Sequence, residues 1–101
     1  MVLCACSAYE EKYYLNPRYE SLPSSIKEEL QIMCVTYTAD VGGVLTLAFE
    51  EDGTLILSTT AKKGDFAYDE IGAHLLIKRM RQEKEELFEG LELYYQSFFK
   101  R

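Results

Sequence analysis

Leu45-Thr46-Leu47-Ala48-Phe49-Glu50-Glu51-Asp52-Gly53-Thr54-Leu55-Ile56-Leu57-Ser58-Thr59 decides the fold class. Leu45, Leu47 and Phe49 alternate with Thr46, Ala48 and Glu50, the two-residue period of a half-buried strand. Glu51-Asp52-Gly53 is a turn, with glycine where a positive φ is wanted. If Glu50 pairs with Thr54, then Phe49 faces Leu55, Leu47 faces Leu57 and Leu45 faces Thr59. Both apolar rows then lie on one face of a β-hairpin. Two strands alone are marginal in water, so helices must cover that face.

Upstream of the hairpin, Ile26, Leu30, Met33, Cys34, Tyr37 and Val41 recur at helical spacing, while Lys27, Glu28, Glu29 and Gln31 fall on the other side. The spacing predicts a helix over roughly Pro23 to Ala39. Leu22-Pro23 marks its start, because proline suits the first helical position; Ser25 with Glu28 has the spacing of a capping box one turn later. Gly42-Gly43 ends it. Asn16-Pro17 marks an earlier turn. Cys4 to Leu15 fits a short helix or a strand, since Tyr13-Tyr14-Leu15 has no decisive period. A third strand from residues 10–15, or a dimer mate, would complete the sheet.

Downstream, no proline interrupts Asp65 to Phe99. Asp65 can cap a final helix, and Phe66, Tyr68, Ile71, Leu75 and Leu76 form a face suited to packing on the hairpin. Lys78 to Glu86 is polar except for Met80. Leu87, Phe88, Leu91, Leu93, Tyr94, Tyr95, Phe98 and Phe99 then crowd the last turns. A rod of about 34 residues would span roughly 50 Å. A compact chain of this length is only about 33 Å across. The expectation is therefore a rod that breaks, projects or lies against a second chain, with Gly90 allowing either a break or a close helix approach. The exposed tip (Leu87, Phe88, Leu91, Tyr94, Tyr95, Phe98) is the candidate interface. The aromatic N-terminal segment of the same chain is the competing cover.

The 101 residues fit one small α+β domain spanning 1–101: a helix, an antiparallel hairpin and a long C-terminal helix. Seventeen acids against eleven bases give a net charge of −6. That balance lacks the basic footprint of nucleic-acid binding and disfavours an anionic membrane surface. No run reaches the length of a membrane span. Cys4, Cys6 and Cys34 are an odd set with no disulfide framework, and the amino terminus has neither a charged n-region nor a secretory apolar stretch. These features point to a reduced, cytoplasmic protein.

Lys12-Tyr13-Tyr14-Leu15-Asn16, Leu22-Pro23, Asp40-Val41-Gly42-Gly43 and Tyr68-Asp69-Glu70-Ile71-Gly72 together resemble a small uncharacterised bacterial family of short acidic proteins. The likeness covers nearly the whole chain. It implies a bacterial cytosolic setting and assigns no activity, cofactor or functional residue.

Candidate chemistry is sparse. Cys4-Ala5-Cys6 is a weak redox candidate, because a disulfide across one residue would be strained and labile. Cys34 and His74 add no recognisable zinc spacing. His74, with Glu70 four residues earlier, is the only possible imidazole acid–base group, and a boundary residue is the simpler account. Glu50-Glu51-Asp52-Gly53 and the acids from Asp65 to Glu70 lack the alternation of an EF-hand loop, and Gly42-Gly43 lacks the lysine and hydroxyl of a phosphate loop. The sequence therefore predicts a non-enzymatic homodimeric interaction module without cofactors, which binds another protein. The alternative is a thiol or small-molecule site at Cys4, Cys6 or His74.

Overall fold

The computed structural model describes residues 1–99. Eight segments run in order: strands β1 (Val2–Ser7) and β2 (Lys12–Leu15), a 3₁₀ turn (Pro17–Tyr19), helix α1 (Ser24–Val41), strands β3 (Val44–Phe49) and β4 (Leu55–Thr60), then helices α2 (Glu70–Glu83) and α3 (Glu85–Phe98). The architecture is α+β, with one antiparallel sheet in the order β2-β1-β3-β4. The helices share one face of that sheet.

The central hairpin has the register its alternation dictates. Phe49 pairs with Leu55, Leu47 with Leu57 and Leu45 with Thr59. The Glu50 amide donates to the Thr54 carbonyl at 2.9 Å, and Gly53 has φ 91°. The N-terminal segment resolves into two strands. β2 supplies the third strand at the sheet edge, while β1 enters the centre between β2 and β3. Cys4 and Cys6 continue the inward row of Leu45 and Leu47. A register shift between Val2 and Cys4 lets Leu3 turn inward as well, and it is fully buried.

Helix α1 lays Leu30, Met33, Cys34, Tyr37 and Val41 on this inner face. Pro23 precedes its first residue, Ser24. At its far end the chain turns through Gly42 and Gly43, at φ 79° and 72°. A methyl group on Gly43 would meet the Thr60 carbonyl at 2.6 Å and the Tyr68 ring at 2.7 Å, so this corner needs glycine twice over.

The C-terminal third departs from the expected single rod. Residues 65–69 form turns, because their polar groups are engaged elsewhere: the Asp65 carboxylate accepts from the Tyr9 hydroxyl at 2.6 Å and from the Ala67 amide at 3.0 Å. The Tyr68 hydroxyl bonds Thr59 at 2.8 Å. Asp69, not Asp65, caps the helix, accepting from the Gly72 amide at 2.8 Å. The rod then breaks at Lys84 (φ −110°, ψ 22°) rather than at Gly90. Ala73, Ile77, Met80, Phe88, Leu91 and Tyr95 keep one helical stripe across the break, and Lys84 stands where that stripe lacks an apolar side chain. Its ammonium reaches Glu29 on α1 at 3.1 Å.

The molecule is elongated rather than the sphere of about 33 Å expected from chain length. The radius of gyration is 13.5 Å, as compactness requires, but the molecule measures 44 × 24 × 24 Å. An elongated body accommodates two successive helices where a sphere would not. Of the face assigned to the hairpin, Tyr68 and Leu76 pack against the core, whereas Phe66, Ile71 and Leu75 are exposed, and the buried residues of α2 are Ala73 and Met80.

Candidate interaction surface

The aromatic tip of α3 is sheltered mainly by its own chain. Phe88, Leu91 and Tyr95 are buried, and Leu87 and Tyr94 are partly so. The Tyr95 ring stacks on Phe49 at 4.5 Å, and Tyr19, wholly buried, packs against Phe49 at 5.7 Å and Phe99 at 4.9 Å. Each contact gains from ring geometry beyond area burial. Polar groups pin the same helix: Tyr94 bonds the Ser21 hydroxyl at 2.5 Å, Glu92 accepts from the Leu55 amide at 2.7 Å, and Gln96 donates to the Asp52 carbonyl at 2.7 Å. Of the six tip residues named from sequence, only Phe98 is exposed; Leu93 is its exposed neighbour. The premise of aromatic surface beyond what one copy can cover does not survive, because the stretch around Tyr19 and the hairpin end provide that cover.

The thiols sit deep in the opposite half. Cys4 and Cys6 both point from β1 toward α1 and take different partners. The Cys4 and Cys34 sulfurs lie 3.9 Å apart, and Cys6 lies 3.3 Å from the Thr38 hydroxyl. The sequence named the adjacent pair Cys4 and Cys6, whereas strand–helix packing juxtaposes Cys4 with Cys34. The Cys34 hydrogen bond lowers Cys4 against desolvation, while the same contact and burial raise Cys34. Neither Cys4 nor Cys34 has any exposed surface, which makes both inert toward dissolved reagents. The Tyr13 hydroxyl is buried beside them without a hydrogen-bond partner, and burial is the main cause of its raised pKa. His74 lies on the exposed side of α2 between Ile71 and Leu75. Among the described residues, no three histidine, cysteine or acidic side chains converge on a possible metal position.

Two surfaces remain, on opposite sides of the molecule. The first is the outer face of the sheet. Opposed residues form rows there: Tyr14-Ala5-Thr46-Ser58, Lys12-Ser7-Val44-Thr60, and Val2-Ala48-Ile56. Among the described residues the strands themselves place one charged side chain on it, Lys12, and Glu50 continues the β3 row at the hairpin end. No helix covers it. A solvated antiparallel face ordinarily alternates into polar residues, and this one is built from valine, alanine, isoleucine, tyrosine and small hydroxyls. The second surface is a groove of about 550 Å³ between α1 and α2, floored by Met33, Tyr37, Leu76 and Met80, with Ile32 on its lip and Glu28, Asp40 and Glu83 at its rim.

Sequence reasoning did not single out either surface. The outer face was partly legible in Thr46, Ala48, Ile56 and Ser58 of the hairpin, but its central residues Ala5 and Val2 needed β1 to be read as a strand. The groove needed the antiparallel packing of α2 on α1.

An open-faced, four-stranded antiparallel sheet backed by three helices, without a recognisable catalytic constellation among the described residues, defines a small two-layer α+β domain. The chain belongs to a family of unknown function, DUF6145, whose model matches residues 1–101. Searches of curated proteins and of solved structures return no match. No helix of the described residues is long and apolar enough to cross a membrane.

Proposed function

We propose that this protein is a non-enzymatic, cytosolic interaction module that works as a homodimer, with the outer sheet face as the seam between its two copies. The single observation behind this reading is the charge distribution. The chain carries −6, yet the outward positions of its four strands hold a single charge, the cation Lys12, with Glu50 continuing the β3 row at the hairpin end. Two acidic copies repel across most of their surfaces, and this face is where they can meet without that cost. The three free thiols support a reducing compartment.

Strands of six residues run about 20 Å, and four of them span about 15 Å across. A two-fold seam of that size has a footprint of about 300 Å² per copy, below standard specific interfaces and in the range of weak, transient contacts. It predicts association in the micromolar range rather than an obligate dimer. Small side chains such as Ala5, Ala48 and Thr46 would let the two faces approach closely.

Sedimentation equilibrium from about 5 to 200 μM tests the reading. The wild type is expected to pass from monomer to dimer over this range, while Ala48→Glu and Thr46→Lys stay monomeric with unchanged circular dichroism. A wild type that remains monomeric at 200 μM overturns the proposal. So does a dimer that both variants leave intact.

A further inference from the structure

The groove between α1 and α2 lies on the helix layer, away from the sheet face, so its role stands or falls independently of the dimer. Its floor is apolar and contains two methionines, whose flexible side chains adapt to varied surfaces. Ile32 on its lip is 67% exposed, an apolar side chain without cover. Glu28, Asp40 and Glu83 stand at its rim; Glu83 is paired with Arg79 and Lys84 with Glu29, which leaves Glu28 and Asp40 outside those pairs.

We propose that this groove receives a cationic amphipathic helix from another protein. The lining extends along α1 from Ser25 to Asp40, about 22 Å at helical rise, which suits a partner of four turns. A helix lying there would set leucine-like residues at i, i+3/i+4 and i+7 against Ile32 and Met80, the pattern of helix-in-groove recognition. Lysines or arginines flanking that stripe would face Glu28 and Asp40. Such exposed pairs add little affinity each, so they set orientation and on-rate while the stripe supplies most of the binding. The same acids repel phosphate backbones and anionic lipid headgroups, which leaves a basic peptide as the complementary partner.

The test uses a fluorescently labelled helix of about 16 residues, designed from leucine and lysine with its leucines on one stripe, and anisotropy as the readout. Two controls accompany it: the same composition with the stripe scrambled, and the striped peptide with glutamate for lysine. The striped cationic peptide is expected to bind the wild type at least tenfold tighter than either control. Ile32→Asp is expected to weaken it at least tenfold, although the variant adds negative charge, and Asp40→Lys to weaken it several-fold. Equal binding of the scrambled peptide overturns the inference, because charge alone then accounts for the contact. Unchanged or tighter binding to Ile32→Asp does the same.

Discussion

The two faces of the sheet carry the same strands and opposite chemistry. The inner face, with Leu45, Leu47, Phe49, Leu55 and Leu57, is sealed by α1 and α3, and Leu45 and Leu47 have no exposed surface at all. The outer face, one residue out of phase, carries few charges and mostly small side chains, and is uncovered among the described residues. Alternation is normally read as apolar inside and polar outside. Here the outward residues mix small hydroxyls (Ser7, Thr46, Ser58, Thr60) with valine, alanine and isoleucine, and few of them are charged. The inner face therefore determines stability, and the outer face is the one proposed to associate.

Substitutions on adjacent positions of β3 separate the two roles most strongly. Leu47→Ala should cost about 2–5 kcal/mol through lost burial and the cavity left behind, measured by urea denaturation. Thr46→Lys, its neighbour, should change monomer stability by no more than about 0.5 kcal/mol while abolishing the dimer. If the two variants behave alike, the division between faces fails. Gly43→Ala follows at about 2 kcal/mol or more, read as a lowered Tm. The new methyl combines a left-handed backbone with the close approach of Thr60 and Tyr68. Asp69→Ala should remove about 1 kcal/mol as the α2 cap is lost. Leu75→Ser, on the exposed side of α2, should fall within about 0.5 kcal/mol.

Alkaline titration probes the inner face by another route. Burial raises the hydroxyls of Tyr13, Tyr19 and Tyr37 above the ordinary tyrosine value of 10.0, Tyr19 to about 12. Above pH 10 the unfolded chain loses these protons while the fold retains them. The unfolded state then binds fewer protons, so stability falls as pH rises from about 10 toward 12. Urea midpoints at pH 8, 10 and 11 should decline in that order, and Tyr19→Phe should flatten part of the decline. Midpoints that hold steady to pH 11 would contradict the burial of these rings.

The hairpin was legible because its periodicity, turn and register all agreed, and α1 was legible because Leu30, Met33, Cys34, Tyr37 and Val41 mark a single stripe. Residues 2–15 were not, since a four-residue edge strand of Lys12, Tyr13, Tyr14 and Leu15 is too short to establish a period. The terminal rod misled for a different reason. Propensity sees Asp65 to Phe99 as one helix, but tertiary hydrogen bonds claim Asp65 and Tyr68, and only Asp69 is free to cap. Lys84 was the overlooked signal: a charged residue on an otherwise apolar stripe, at the place where the helix stops leaning on α1 and begins covering Phe49. For the candidate sites, charge was readable from the chain while its spatial distribution was not. A charge-poor face in an acidic protein emerges only when Ala5, Thr46 and Ser58 are aligned across three strands.

Isotope-filtered nuclear Overhauser spectroscopy on a mixture of labelled and unlabelled chains tests the division of faces most directly. The expected result at about 200 μM is contact between copies through the methyl groups of Ala5, Ala48 and Ile56. Contacts confined to Leu93 and Phe98 on α3, or no contacts between copies, would contradict it.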